Sequence, residues 1–406
     1  MASALEGIRV IDLTVWFQGP VAAQHLGDFG AEVIKVERPK GGDQGRGVRS
    51  IKALPVGDWN QYFLVINRNK KSMAIDLKTE PGREILYKLA EQSDVFLSNL
   101  GAENLEAWGL TWERLHAVNP KLIYATTTGY GPYATTSKPS FDMTVQALTG
   151  LMSRLGEPEQ PPIYLGMGSG DAYGGLMAAF AILLALWRRN ATGVGQRIDA
   201  SLYGAQLFLA APTLQAWLAT RDPRYSAQQS RTAARNPLWN TYEAKDQWLV
   251  LCVPNRDDAF RALAGSLDAP DVASDARFAT SAGRREYARD LIALLDAAIA
   301  KRTASEWMAR WTPLAARGIA ASPVATLADL AEDAGAWANE YFMETHCEEV
   351  NRRVTIRGMP VTLGKTPGTV RSLGPELGQD TEMILFEMLG YDWDQIGELK
   401  AKGAIP

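Results

Sequence analysis

One carboxylate stands among five glycines in Gly166-Met-Gly-Ser-Gly-Asp171-Ala-Tyr-Gly174-Gly175, directly ahead of an apolar stretch that reads as a helix. Flanking glycines let backbone come close to a substrate and aim N–H groups at it. A carboxylate attacking a thioester or ester needs that setting, so the chemistry suggested is acyl transfer. Two other readings fit the same residues. Aspartate is a preferred helix N-cap, because its side chain accepts hydrogen bonds from the free N–H groups of the first turn. Glycine-rich turns before helices also hold phosphates. No Gly-Lys-Ser/Thr follows, so the segment is not a P-loop, and its spacing is not that of a dinucleotide fingerprint.

The elements that must position this carboxylate alternate over the first 200 residues. Ile8-Arg-Val-Ile-Asp-Leu, Glu32-Val-Ile-Lys-Val-Glu, Ser72-Met-Ala-Ile-Asp-Leu, Val95-Phe-Leu-Ser-Asn and Leu122-Ile-Tyr-Ala-Thr read as strands, with helical segments at Val21 to Gly30 and Gly82 to Gln92 between them. Strand and helix in this rhythm predict an α/β, Rossmann-like large domain with a mostly parallel sheet, and such sheets bind ligands at the carboxyl ends of their strands. Pro237 to Leu251 reads as two strands joined by a tight Lys-Asp-Gln turn, followed by helical patterns, and so starts a smaller α+β domain. The predicted organisation is a large domain over 1–200, a linker helix over 201–225, the small domain over 226–325, a linker over 326–370, and C-terminal helices over 371–406 that return to the large domain.

With 406 residues, 46% of them hydrophobic, the chain can fill two or three proper cores. Its net charge of -4 gives no basic footprint for nucleic acid or an anionic membrane, so any anionic ligand falls to a few local cations. Cys252 and Cys347 lie far apart without metal or redox spacing, and no metal site is expected. The N-terminal residues show no basic region followed by an apolar run, and the apolar stretch Leu176 to Trp187 is shorter than the ~20 residues of a membrane span. A cytoplasmic location without a membrane partner is the expectation.

Taken in order, Leu5-Glu-Gly-Ile-Arg-Val-Ile-Asp-Leu-Thr14, the Gly19-Pro20 turn, Gly30-Ala-Glu-Val-Ile-Lys-Val-Glu-Arg38, Asn67-Arg-Asn-Lys-Lys-Ser-Met-Ala-Ile-Asp-Leu-Lys78, Gly129-Tyr-Gly131, Gln146-Ala-Leu-Thr-Gly150 and Gly170-Asp171 resemble the class III coenzyme A transferases over essentially the whole chain. That group includes formyl-CoA, carnitine and aryl-succinate CoA transferases. The resemblance implies that Asp171 is the catalytic nucleophile, forming first a mixed anhydride and then an aspartyl-CoA thioester. CoA and acyl-CoA are then substrates, with no prosthetic group. It also places Arg38 at the adenine and phosphate end of CoA, Ile75, Leu77 and Lys78 along the nucleotide, and Asn99, Leu100 and Gly101 near the diphosphate. Gln18, Tyr130, Asp142, Gly170, Gly174 and Gly175 would support the acyl site, with backbone N–H groups of 168–175 as oxyanion donors.

The chain also departs from that pattern. Asn99-Leu-Gly-Ala-Glu103 and Ala107-Trp108-Gly109 stand where relatives carry two cations near the phosphates, which makes Arg46, Lys70 and Lys71 candidates to replace them. Trp16 and Phe17 point to a bulky acyl group, with succinyl-CoA as donor and an aryl- or alkyl-substituted dicarboxylate as acceptor. An α-methylacyl-CoA racemase is the rival, but Phe141-Asp142 stands where those relatives place His before Asp, and a phenyl ring carries no proton. His25, His116 and His346 read as surface or structural residues. The resemblance further implies an interlocked homodimer, the alternative being a heteromer with a paralogous CoA-binding subunit.

Overall fold

The computed structural model describes residues 3–51, 57–134 and 138–406. By contact the chain forms two compact units, one of Met1–Met152, Tyr164–Leu218 and Gly335–Pro406, the other of Ser153–Ile163 and Ala219–Ala334. The breaks thus lie at 218 and 335, whereas the sequence reading ended the large domain at 200 and began its C-terminal return at 371.

The larger unit holds a six-stranded sheet in the order β3-β2-β1-β4-β5-β6, every pair parallel. The strands are β1 Arg9–Leu13, β2 Glu32–Glu37, β3 Lys70–Ala74, β4 Val95–Ser98, β5 Ile123–Thr128 and β6 Arg197–Ser201. Strands β1 to β5 are buried almost throughout, which suits the apolar and β-branched residues of β1, β2, β4 and β5, while β3, Lys-Lys-Ser-Met-Ala, buries Lys70 with its partners. The sixth escapes such a reading because Arg197 and Asp199 interrupt its apolar residues, and Asp199 is held by the Thr126 hydroxyl at 2.8 Å.

One face packs the Gln18–Asp28 and Ser169–Thr192 helices through Ala22, Ala23, Leu26, Ala178, Ile182 and Ala185. The other face buries Ile85, Leu86, Leu89 and Leu115 together with Ile384, Leu385, Ile396 and Leu399 from the C-terminal segment. That segment also fastens to the β3 edge, with Ser72 N donating to Asp380 at 2.8 Å and Ala74 N to the Thr381 hydroxyl at 2.9 Å. The first helix starts at Gln18 rather than Val21 because Pro20 sits in its first turn, where no N–H is needed.

Residues 326–370, read as a linker, contain an antiparallel pair, β10 Phe342–Cys347 and β11 Arg352–Arg357, whose Cys347, Val354 and Ile356 form a small core with Val65. The smaller unit carries an antiparallel sheet in the order β7-β8-β9, from Trp239–Glu243, Trp248–Cys252 and Ala320–Pro323. Its core includes Tyr242, Leu251, Phe260 and the stacked pair Trp307 and Trp311, 5.0 Å apart.

Candidate active site

In a sheet of this order the chain reverses direction between β1 and β4, and ligands bind outside the carboxyl ends at that point. The turn leaving β1 rests there on buried charge. Lys70 Nζ donates to Asp12 at 2.7 Å, Asn67 at 2.8 Å and the Pro20 carbonyl at 2.9 Å, while Lys35 pairs with Asp43 at 2.9 Å and donates to the Thr14 carbonyl at 2.8 Å. Asp43 accepts from Trp16 N at 3.0 Å, fixing that residue at φ 69°. From β4, the Asn99 amide donates to the Val15 carbonyl at 2.7 Å and accepts from Val15 N at 2.9 Å. Gly19 closes the turn, since a Cβ there would lie 2.5 Å from Thr14 Cβ.

The candidate replacement cations Arg46, Lys70 and Lys71 all have partners in this structure. Lys70 is buried among its partners, Lys71 pairs with Glu32 at 2.7 Å, and Arg46 pairs with Glu37 at 2.7 Å while lying over the Phe63 ring. Lys70 and Arg46 are engaged inside the protein, whereas Lys71 is exposed and its pair with Glu32 lies at the surface. Arg38 and Lys78 are exposed at the ends of β2 and β3, and among the described residues neither forms an ion pair. Ile75 and Leu77 have their side chains in the core, and Ile75 N donates to the Glu37 carbonyl at 2.8 Å. Asn99 is committed to Val15, Leu100 packs against the core, and Gly101 opens a short helix. All follow strands of one parallel sheet and therefore share its carboxyl edge.

Asp171 is half-buried in the first turn of the Ser169–Thr192 helix. It is not the N-cap: Gly168, at φ 78°, occupies that position. Among the described residues its carboxylate accepts no hydrogen bond, and burial, reinforced by the charge of Asp142, pushes its pKa up to about 7. The glycines around it fit it to its neighbours. A Cβ on Gly170 would meet Gln206 Nε2 at 2.0 Å and Asp142 Oδ1 at 2.2 Å, and one on Gly175 the Gln18 carbonyl at 2.6 Å. Gly174 lies similarly against the Gln18 side chain, at 2.8 Å. Gly174 and Gly175 have their own N–H groups in the helical ladder, so as oxyanion donors they are ruled out. In the first turn Ser169 N donates to the Gly166 carbonyl at 3.4 Å, which leaves the N–H groups of Gly170 and Asp171 open among the described residues.

Around this turn, buried polar atoms lack partners: Gln18 Nε2, Asp142 Oδ2 and Gln206 Oε1. Asp142 Oδ1 accepts from Gln206 at 3.0 Å and from Gln146 at 3.1 Å, so both glutamines hold it beside the helix. Orphaned buried groups cost about 1–3 kcal/mol each, and the expense is relieved when a ligand supplies the missing bonds. Gln206 was missed in the sequence; its signal is a buried amide inside the apolar helix Leu202–Leu209. Tyr130 follows β5 and donates to the Pro139 carbonyl at 3.3 Å, while Phe141, at the start of the helix carrying Asp142, is exposed.

Beside Asp171 opens a cavity of about 540 Å³ lined by Phe17, Tyr62, Val65, Met167, Ala172 and Arg357 among others. Tyr62, also missed, packs against Phe17 with ring centroids 5.5 Å apart, and burial together with the charges of Asp171 and Asp43 raises its pKa well above a free phenol's. It remains a neutral hydroxyl. His25, read as structural, lines an adjoining chamber with Arg68 and Ala172, and burial lowers its pKa.

The CoA-transferase family III model matches residues 5–381. The chain is 32% identical over 416 residues to succinyl-CoA–D-citramalate CoA-transferase of Chloroflexus aurantiacus, covering 99% of this chain and 98% of that one. It is 32% identical over 403 residues to succinyl-CoA:glutarate CoA-transferase of Mus musculus, covering 99% and 90%. A CAIB/BAIF family protein from Brucella suis superposes with a TM-score of 0.81 at 29% identity, over 95% of this chain and 100% of that one. A match across nearly the whole length, by sequence and by fold, makes the chain an enzyme acting on CoA thioesters, and it belongs to CoA-transferase family III.

Proposed function

We propose that this enzyme moves CoA from succinyl-CoA to a dicarboxylic acid with an aryl or alkyl substituent, through covalent intermediates on Asp171. The observation that carries the reading is the Asp171 carboxylate itself: half-buried, without a hydrogen bond and beside orphaned polar groups. A desolvated, unpartnered carboxylate is a stronger nucleophile than a solvated one.

One Asp171 oxygen attacks the donor carbonyl carbon, the C–S bond breaks, and CoA leaves as thiolate with a mixed anhydride left behind. The thiolate then attacks the Asp171 carbonyl carbon, expels the donor carboxylate and forms the aspartyl-CoA thioester. The acceptor carboxylate attacks the carbonyl carbon of that thioester, the C–S bond breaks, and CoA leaves again as thiolate from a second anhydride. Attack by thiolate on the acceptor's carbonyl carbon releases the new acyl-CoA and restores Asp171. No water is consumed, so thioester energy is retained. The open N–H groups of Gly170 and Asp171 in the first turn and the Gln18 amide are positioned to stabilise the oxyanions, and Tyr62 offers a neutral donor. Phe17 and Tyr62 give the acyl site its aromatic wall. Arg38, whose Nε donates to the Gly42 carbonyl but which forms no ion pair among the described residues, and Lys78 take the CoA phosphates. The proposal includes a cytoplasmic location and an interlocked homodimer, with pairing to a paralogous chain as the other arrangement.

Peptide mass spectrometry after mixing with succinyl-CoA and trapping with hydroxylamine tests the mechanism. Modification confined to Asp171 is the expected result. No adduct, with solvent deuterium entering the acyl α-carbon instead, would place the enzyme's chemistry with the isomerases.

A further inference from the structure

Arg357 ends β11 at the point where the two chambers beside Asp171 meet. It lines the 540 Å³ cavity, and with Ala172 it also lines the adjoining one of about 360 Å³. Its backbone is clamped. Arg68, paired with Asp28 at 2.7 Å, donates to the carbonyls of Arg357 and Gly358, and Gly358 N donates to the Tyr341 carbonyl at 2.8 Å. Gly358 admits no larger residue, since a Cβ there would lie 1.9 Å from the Glu340 carbonyl oxygen.

Along β11, Val354 and Ile356 are buried in the small core, so the alternation turns Arg357 to the opposite face. Among the described residues the guanidinium makes no ion pair and no side-chain hydrogen bond. Asp28, whose charge acts on it, is already taken by Arg68 and by Asn69 at 2.8 Å. The chamber therefore holds a positive charge in excess, next to the residue that follows the nucleophile. The side chain is exposed to solvent at the chamber, yet the partial desolvation there and the neighbouring Arg68 both act against its charge, which lowers the Arg357 pKa from its ordinary value. An anion entering the chamber relieves this, and a carboxylate matches the planar guanidinium fork with two parallel hydrogen bonds.

We propose that Arg357 is a specificity-determining residue that grips the second carboxylate of a dicarboxylic substrate while the first reacts at Asp171. This deepens the transferase reading and rests on it. A monocarboxylic acid of equal length leaves Arg357 unpaired, and the enzyme discriminates against it.

Two measurements separate this idea from the mechanism. In Arg357→Gln, kcat/KM for glutarate as acceptor falls about 30- to 100-fold while that for valerate changes less than about threefold, and Arg357→Lys recovers part of the glutarate activity. Equal losses for both acids, or none, overturn the proposal. Independently of turnover, glutarate raises the melting temperature of Asp171→Asn protein, valerate does not, and Arg357→Gln in that background removes the glutarate shift. A glutarate shift that survives Arg357→Gln, or none at all, also overturns it. If glutarate binds through Arg357 but no acid accepts CoA, the anchor stands and the transferase reading fails.

Discussion

Asp171 is costly to the folded protein in its charged form, the form the proposed mechanism uses. Its pKa is about 7 when folded, from burial first and Asp142 second, against 3.8 for the free group. The folded state therefore holds the proton more tightly, and this group's contribution to stability is complete below about pH 3.8 and is lost as pH rises through 7. At about 1.4 kcal/mol per unit the shift bounds that loss at about 4 kcal/mol, and partial exposure brings it to about 1–2. Asp171→Asn is thus expected to melt higher than the wild type at pH 8 and nearly alike at pH 4, by calorimetry, while transfer activity is abolished. Attack requires the carboxylate, so kcat/KM for succinyl-CoA rises with pH with an apparent pKa near 7. Asp142→Asn removes the like charge and moves that limb to lower pH. Since burial is the larger cause, the limb stays above the ordinary carboxylate range, and an unmoved profile would show that Asp142 does not act on the nucleophile.

The elements carrying the site are held by close approaches and buried ions, which the sequence reveals unequally. Alternating β-branched runs gave away the parallel sheet, and the glycine-flanked Asp171 marked the helix that starts at the site. Side-chain direction was not legible: Lys70, in a basic run that suggests a phosphate contact, instead turns inward to Asp12. Gln206 and Tyr62 stayed hidden because single polar atoms in apolar helices show no period of their own. Two outcomes follow from the packing. Lys70→Met leaves Asp12 buried without its counter-charge and should destabilise the larger unit by about 3–5 kcal/mol in urea titrations, although Lys70 touches no substrate. Gly175→Ala drives a methyl against the Gln18 carbonyl, backbone that cannot swing aside, and should cost about 1–3 kcal/mol. Gly170→Ala meets the ends of Gln206 and Asp142, which must break their buried 3.0 Å hydrogen bond to give way, so it is expected to lower kcat and to cost about 1–3 kcal/mol in urea titrations.

At the scale of the whole molecule, the Ser169–Thr192 helix has two faces. Gly170, Gly174, Ala178, Ile182 and Ala185 are buried in the unit, whereas Leu176, Phe180, Leu183, Leu184 and Trp187 form an exposed stripe at helical spacing, Trp187 being 79% exposed. The apolar run alone read as too short for a membrane, but the 24-residue helix is long and apolar enough to cross one by length and composition. A second copy of the chain is the cover most consistent with the proposed dimer, because the same helix begins at the proposed nucleophile and keeps its first turn beside Asp142. Light scattering should then give twice the 44.4 kDa chain mass, and Leu184→Asp with Trp187→Asp should reduce it or cost solubility. Interlocking makes a further demand that ordinary association does not. Two differently tagged homodimers mixed at low concentration should exchange no subunits until denaturant unfolds them, since chains that thread each other separate only by unfolding. Mixed dimers appearing within minutes under native conditions would leave a dimer held by the stripe alone, and recovery of the protein with membranes would assign the stripe to lipid instead.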